Sequence, residues 1–136
     1  MITDIGSVPI LVNDAKSSAK WYSEKLGFEI VSNEGHWVAV RPRGSNTIFH
    51  LCEKCDAWEN DRPGGSTGIW LKSGESETFK DEKTGAIIPR SKARSVEATY
   101  AELKKRGVEF SQELAESPWG RYAIFKDPDG NEFYIW

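Results

Sequence analysis

The sequence has few cysteines, no long apolar run and no excess of one charge. Two cysteines among 136 residues exclude a disulfide framework, and cytosolic cysteines are normally reduced. The longest apolar stretches, such as Val8 to Val12, are far too short to span a membrane, and residues 1–4 lack the basic start of a signal peptide. Eighteen basic and twenty-one acidic side chains give a net charge of −3, without the basic footprint of nucleic-acid or membrane-surface binders. We therefore expect a soluble, cytoplasmic protein with no nucleic-acid or membrane partner.

Aromatic side chains are unusually numerous in this chain. It holds six Trp, four Tyr and six Phe. Its length corresponds to a single domain, and a domain of this size buries about two thirds of its unfolded surface. Such a chain needs neither disulfides nor a structural metal to fold, so the aromatic residues belong to a core, to a binding surface, or to both.

The first part of the chain carries the signals of one strand, one helix and three further strands. Val8, Ile10 and Val12 alternate with their neighbours, as in a half-buried strand. Asp14 is suited to cap a helix, and Gly27 is suited to stop it. The predicted strands are Ser7–Asn13, Phe28–Val31, Trp37–Arg41 and Thr47–Cys52, with turns at Ser32–Gly35 and Pro42–Asn46.

The second part repeats this order after a polar linker that contains glycine and proline. Its predicted elements are a strand at Gly68–Lys72, a helix at Ser95–Arg106 and strands at Val108–Ser111, Arg121–Phe125 and Glu132–Trp136. The segment Lys25–Glu29 matches Lys105–Glu109, which favours duplication of a unit of about sixty residues over chance recurrence. We expect one α+β domain, residues 1–136, with module one at 1–56, a linker at 57–66 and module two at 67–136.

Residues 73–94 fit neither copy of the repeat. This mostly polar segment is much longer than an ordinary strand-to-helix connection, and connections of such length are usually disordered or functional lids. Its single apolar triplet, Ala86-Ile87-Ile88, could fold over a pocket. Two interpretations stay open, a lid and a flexible excursion.

Four short segments resemble one known family. They are Val12-Asn13-Asp14, Trp21-Tyr22, Lys25-Leu26-Gly27-Phe28 and, before the last strand, Asp127-Pro128-Asp129-Gly130-Asn131. The chain resembles the vicinal oxygen chelate superfamily, which includes glyoxalase I, bleomycin-resistance proteins, fosfomycin-resistance enzymes and extradiol dioxygenases. The resemblance covers nearly the whole chain except residues 73–94. It implies two tandem βαβββ modules that form an open, curved eight-stranded cavity, and it implies a homodimer.

The same resemblance marks four positions where metal-dependent relatives carry ligands. They fall on Ser7, His50, Gly68 and Tyr134. Only His50 is a good ligand, whereas a protein-bound transition metal needs three or four nitrogen, oxygen or sulfur donors. We therefore expect no metal and no other cofactor. A shifted alignment would add the carboxylate of Glu132, which has the same strand parity as Tyr134.

A second motif also contains His50. His50, Cys52 and Cys55 form a His-x-Cys-x-x-Cys run, but a structural zinc site needs a fourth ligand, and the other histidine, His36, lies in a different predicted hairpin. A reactive Cys pair of this spacing sits at a helix start, whereas here it closes a strand. The favoured interpretation is a small buried Cys52 and a loop thiol at Cys55.

Strand alternation predicts which residues line the implied cavity. Trp37 and Trp119 are candidates for its rim, while Trp21 and Tyr22 belong to the core. Aromatic faces suit a flat or cationic organic ligand, although the same rings could instead fill the cavity as a closed core. The predicted lining residues are Ser7, Pro9, Leu11, His50, Cys52, Trp70, Tyr134 and Trp136.

These features favour a small-molecule-binding protein without a metal. It would sequester its ligand in the manner that the resemblance implies for bleomycin-resistance proteins, and so confer antibiotic resistance. The first alternative is a metal-dependent lyase or dioxygenase that uses His50 and Glu132. The second is a filled cavity, with a protein that acts only through its dimer surface. His50 is also a weak candidate for a general acid or base, with Tyr134 as a hydrogen-bond donor to an oxyanion.

Overall fold

The computed structural model describes residues 1–53, 61–93 and 95–136, with the backbone alone at 75–79 and 88–93. The chain is an α+β protein, as predicted. Its helices are α1 (Ala15–Leu26) and α2 (Val96–Lys105). Its strands are β1 (Ser7–Leu11), β2 (Glu29–Glu34), β3 (Trp37–Arg41), β4 (Ile48–Cys52), β5 (Gly65–Leu71), β6 (Gly74–Lys80), β7 (Ile87–Ala93), β8 (Glu109–Ser117), β9 (Gly120–Lys126) and β10 (Asn131–Ile135).

Two four-stranded sheets repeat one topology. Sheet one has the strand order β1-β4-β3-β2, and sheet two has the order β5-β10-β9-β8. In each sheet the first strand of the module runs parallel to the last one, and the other pairs are antiparallel. The tandem βαβββ modules predicted from the repeat are therefore confirmed.

The helix ends follow local capping chemistry. The Asp14 carboxylate accepts a hydrogen bond from the Ser17 amide at 2.8 Å, and Gly27 ends α1 in the left-handed conformation with a φ of 71°. Ser95 caps α2 by accepting from the Ala98 amide at 3.2 Å. Asp14 and Gly27 are the residues that the sequence marks as the ends of α1, because such signals lie within a few residues of the helix end. Ser95, predicted as the first residue of the second helix, is its cap.

The inserted segment, residues 73–94, contains two strands that the sequence does not predict. Strands β6 and β7 pair with each other as a separate two-stranded antiparallel sheet, with Gly74 opposite Ala93 and Lys80 opposite Ile87. Their turn is closed by a hydrogen bond from the Asp81 amide to the Ala86 carbonyl at 2.8 Å. The hairpin is difficult to predict from the sequence because its strands pair through backbone hydrogen bonds, which any residue type can form. The alternation of apolar residues that indicates a buried strand is weak in this segment.

One hydrophobic core joins the two modules. The rings of Phe49 on β4 and Phe133 on β10 stack with centroids 5.6 Å apart. Tyr22 on α1 contacts both rings edge-on, at 6.4 and 6.1 Å. The two sheets therefore meet through the faces that carry these phenylalanines. The opposite face of each sheet points away from the shared core, because successive side chains of a strand alternate between faces.

The turn Asp127–Asn131 fastens module two to module one. The Tyr22 hydroxyl donates to the Asp127 carboxylate at 2.8 Å, and the Asn131 side chain donates to the Leu11 carbonyl at 2.8 Å. Burial raises the pKa of Asp127 above its usual range, although bonds from Asn131 and Tyr22 act against that rise. Burial and the neighbouring Asp127 charge raise the pKa of Tyr22 well above its usual value, so its hydroxyl stays a donor.

We expect Tyr22→Phe to lower the free energy of unfolding by about 2 kcal/mol at pH 7, the size of a hydrogen bond to a charged acceptor. The raised pKa means that the folded chain keeps a proton on Asp127 after the unfolded chain has released it. The contribution of Asp127 to stability therefore falls as the pH rises through that interval. The hydrogen bond that Tyr22→Phe removes stabilises the ionised form of Asp127. The loss in free energy of unfolding should therefore be smaller at a pH below this interval, where Asp127 is protonated.

Urea unfolding measures the loss in free energy of unfolding at pH 7 and at a pH below the pKa of Asp127 in the unfolded chain. Tyr100→Phe is the matched control, since its ring packs on Phe110 at 4.8 Å and its hydroxyl has no hydrogen bond to a described residue. An equal loss at both pH values would contradict the coupling between Tyr22 and Asp127.

Candidate ligand-binding faces

On the outward face of sheet one, a histidine ring packs against a tryptophan ring. The Trp37 and His50 rings lie 4.1 Å apart between centroids, with their planes inclined by 37°. His50 Nε2 lies 3.3 Å from the His36 carbonyl, and Nδ1 lies 3.2 Å from Cys52 Sγ. A carbonyl only accepts, so Nε2 carries the proton and Nδ1 accepts from Cys52. Both nitrogens of His50 are thus engaged within the chain.

Three more predicted residues lie beside this pair on β1. Pro9 is the register partner of His50, and Leu11 is the partner of Cys52. Ser7 and Pro9 are exposed and Leu11 is half-buried. The alternation of β1 and β4 therefore places these side chains on the same face of sheet one as His50. Cys55, the third member of the His-x-Cys-x-x-Cys run, lies outside the described residues.

The outward face of sheet two carries the aromatic cluster, defined as Trp70, Trp119, Tyr122 and Tyr134. Trp70 and Tyr134 stack with centroids 4.3 Å apart and planes inclined by 19°. Tyr122 stands 6.2 Å from Tyr134, and Trp119 stands 6.4 Å from Trp70. Trp70 is 41% exposed and Trp119 is 68% exposed. The cluster is therefore an open aromatic surface within one chain, rather than part of the closed core.

Tyr122 is a member of this surface that the sequence alone did not indicate. Tyr122 and Ile124 alternate along β9 with the buried Ala123 and Phe125. Because β9 lies between β8 and β10, the side chains on this face stand beside Tyr134. The same alternation rule that selected Tyr134 would have selected Tyr122, had the β9 register been known.

Trp136 and Gly68 stand apart from the cluster. Trp136 follows β10 and is 51% exposed, and no ring of the described residues stacks on it. Gly68 has a φ of 68° and lies in β5 between Ser66 and Trp70, where the register with β10 shifts. A positive φ suits glycine, so this position serves the bulge of the strand.

The predicted site residues therefore form two groups within one chain. Ser7, Pro9, Leu11, Trp37, His50 and Cys52 lie on the outward face of sheet one. Trp70, Trp119 and Tyr134 lie on the outward face of sheet two. Since the sheets meet through their other faces at Phe49 and Phe133, the shared core lies between the groups.

The four positions that would carry a metal do not fit one. Ser7 and His50 belong to sheet one, whereas Gly68 and Tyr134 belong to sheet two. Glu132 shares the face of Tyr134, and its carboxylate accepts from the Ser111 hydroxyl at 3.0 Å. Among residues 1–53, 61–93 and 95–136, no three His, Cys, Asp or Glu side chains come together as metal ligands do. Of the four matched positions only His50 carries a good ligand, so these four residues do not suit the metal site of the family.

The fold and the outward faces of the two sheets together define the class of this protein. It is a two-module α+β protein with an exposed aromatic surface. The family model of the Glyoxalase/Bleomycin resistance protein/Dioxygenase superfamily matches residues 4–135. The chain therefore belongs to this superfamily, and the resemblance noted in the sequence is confirmed. Within the described part of the chain, no helix is long and apolar enough to cross a membrane.

Three relatives span nearly the whole chain. A superfamily member from Sphaerobacter thermophilus DSM 20745 is 30% identical, with a TM-score of 0.73 over 98% of this chain and 96% of that one. TnmS3, an antibiotic binding protein from Streptomyces sp. CB03234, is 27% identical, with a TM-score of 0.72 over 98% and 94%. The uncharacterized protein YetH of Bacillus subtilis (strain 168) is 28% identical over 99% of this chain and 98% of its own length.

Proposed function

We propose that this protein binds and sequesters a flat or cationic organic molecule, without a metal, on the aromatic cluster. The observation that carries the proposal is the stacked pair Trp70 and Tyr134, 4.3 Å apart, with Trp119 and Tyr122 beside it. Four neighbouring rings offer a planar compound stacking surface and offer a cation their negative faces. Exposed aromatic patches of this kind are typical of binding sites.

The comparisons support the antibiotic-binding side of this proposal. TnmS3 is an antibiotic binding protein that shares the fold over nearly the full length of both chains. Binding without chemistry fits this chain, because both nitrogens of His50 are engaged by the His36 carbonyl and by Cys52. We propose drug sequestration in the cytoplasm, and hence resistance, as the role.

A homodimer would complete the site. Each chain presents two outward faces, one with Trp37 over His50 and one with the aromatic cluster. In a two-fold dimer, the first face of one protomer can cover the second face of its partner, and the reverse contact follows by symmetry. Each of the two resulting pockets would then hold a ligand between the aromatic cluster and the partner's Trp37.

A titration with the flat cation proflavine tests the function. We expect saturable binding by calorimetry, with micromolar affinity and one ligand for each chain. Tetraethylammonium, which is cationic but not flat, and 9-anthracenecarboxylate, which is flat but anionic, separate the two properties. Both should bind at least about ten-fold more weakly than proflavine, the loss expected from removing stacking or charge. Three equal affinities, or no saturable binding, would contradict the proposal.

Metal titration separates the proposal from a metal-dependent enzyme. Protein purified without chelator should hold far less than one equivalent of metal, and Zn²⁺, Ni²⁺, Mn²⁺ and Fe²⁺ should bind weakly. The reason is that Ser7, Gly68 and Tyr134 are poor ligands, which leaves His50 as the one good donor among the four matched positions, and the Glu132 carboxylate already accepts from the Ser111 hydroxyl. Elemental analysis and calorimetry measure the content and the affinity. Stoichiometric tight binding that His50→Ala abolishes would overturn the metal-free proposal.

A further inference from the structure

A cleft of about 680 Å³ opens between the two modules, on a different part of the surface from the outward face of sheet one. Residues of both modules line it. Module one contributes the loop Pro42–Ser45 and the C-terminal end of α1, and module two contributes the end of β5, Ser73 and α2. We call it the inter-module cleft. Its volume is in the range of small-molecule pockets. Of the aromatic cluster, Trp70 alone borders the cleft, and the proposed function does not use the rest of its lining.

The floor of the inter-module cleft is apolar and reaches the core. Phe28, Phe49, Leu103, Phe125 and Ile135 all line it, and each of them is buried. Phe49 and Phe125 come from different modules, so the cleft follows the seam between the two sheets. Such a floor favours the apolar body of a ligand.

Two buried hydroxyls in the cleft wall lack a hydrogen-bond partner. They are Ser73 Oγ, in a residue that is 5% exposed, and Thr99 Oγ1 on α2. These are the two buried side-chain polar atoms without a partner in the described part of the chain, and both residues line the same cleft. Since buried polar groups are normally paired, the cleft wall has hydrogen-bonding capacity that the protein does not use.

The rim of the cleft is cationic. Arg43 and Lys72 line it from opposite modules, and both residues are exposed. Neither side chain forms an ion pair with any residue in the described ranges, and they are the titratable groups among the lining residues. An anion at the mouth would therefore meet two positive charges that form no ion pair, and among the described lining residues it would meet no carboxylate.

From these three observations we propose that the inter-module cleft is a second binding site, for a small amphipathic anion. The apolar body of the ligand occupies the floor, and its carboxylate or similar head lies beside the Ser73 and Thr99 hydroxyls, within the field of Arg43 and Lys72 at the rim. The oxygen atoms of that head accept hydrogen bonds from the two hydroxyls. The site goes beyond the proposed function, because it lies at the seam of the modules and takes a ligand of opposite charge.

Decanoate is the probe, with 1-decanol and decyltrimethylammonium as neutral and cationic counterparts. Calorimetry should show saturable binding of decanoate, at least about ten-fold tighter than that of either counterpart. Arg43→Ala and Lys72→Ala should each weaken it about three-fold, the size of a partly screened charge contact. No saturable binding, or equal affinity for all three compounds, would overturn the proposal. So would decanoate affinity that falls as protein concentration rises, since a second copy of the chain would then cover the cleft.

Thr99→Val supplies the sharper test. Valine keeps the shape of threonine and removes an unpaired hydroxyl, so the melting temperature without ligand should stay equal or rise. The increase in melting temperature that decanoate causes should shrink, and decanoate affinity should fall about five-fold. Thr84→Val is the matched control, since Thr84 is exposed and donates to Asp81 at 3.0 Å. An unchanged decanoate affinity in Thr99→Val would overturn the role of this hydroxyl and the site with it.

The aromatic cluster and the inter-module cleft can be tested independently of each other. Thr99→Val should leave proflavine binding unchanged, and Trp119→Ala should leave decanoate binding unchanged, because Trp119 belongs to the aromatic cluster and does not line the cleft. Trp70 is unsuitable here, since it borders both places. Loss of decanoate binding in Trp119→Ala would mean that decanoate occupies the aromatic cluster, which overturns the second site.

Discussion

Phe133→Ala should lower the free energy of unfolding by about 3–5 kcal/mol, the cost of opening a large cavity in a well-packed core. Phe133 is fully buried. Its ring stacks on Phe49 of the other module at 5.6 Å and on Phe125 at 5.5 Å, and it meets Tyr22 at 6.1 Å. The substitution removes one ring from the seam itself, so both modules lose contacts. Since a domain is stable by about 5–15 kcal/mol in total, the loss is a large share.

Urea unfolding with linear extrapolation measures this loss. Tyr134→Ala is the matched control, because Tyr134 is the next residue of β10 and its ring lies on the outward face. We expect that variant to lose about 1 kcal/mol. Similar losses in the two variants would contradict the division of β10 into a core face and an outward face.

Trp70→Ala should weaken proflavine binding about thirty-fold, which corresponds to the roughly 2 kcal/mol that a central aromatic residue contributes at a binding site. Trp70 is the centre of the aromatic cluster. It stacks on Tyr134 at 4.3 Å and lies 6.0 Å from Tyr122 and 6.4 Å from Trp119. Its removal takes away one stacking face and leaves the other rings without their shared neighbour.

Calorimetry on the folded variant measures the change. Trp21→Phe serves as the control, because Trp21 packs on the core side against Tyr22 at 5.3 Å and Phe125 at 6.5 Å and keeps an aromatic ring after substitution. We expect its proflavine affinity to match that of the natural chain. A Trp70→Ala variant that binds proflavine as tightly as the natural chain would exclude the aromatic cluster as the ligand site.

Most of the fold could be predicted from local signals. Asp14 and Gly27 cap α1 as expected, since capping depends on residues a few positions apart, and the second helix was predicted to within one residue at each end. In β10 the alternation buries Phe133 and Ile135 and leaves Tyr134 on the other face. The repeat in the order of elements then predicted two modules, because each unit needs a partner to cover its apolar face.

The relation between the modules could not be predicted in the same way. Alternation shows that Phe49 and Phe133 are buried, but it does not show that they bury each other, because that contact depends on how whole sheets pack. For the same reason, the sequence could not divide His50 and Tyr134 between two faces of one chain. Tyr122 was missed since its place beside Tyr134 follows from the β9 and β10 register, and the β6–β7 hairpin was missed since its pairing is carried by the backbone.

The contact between Phe49 and Phe133 also bears on synthesis of the chain. Module one leaves the ribosome before module two. The Phe49 ring contacts Tyr22 and Phe28 of its own module, but its contact with Phe133 forms only after β10 has been made. Until then the nascent chain exposes the apolar surface that Phe133 covers in the folded protein, and such surface binds chaperones and promotes aggregation. A chain that stops short of β10 should therefore be prone to aggregation.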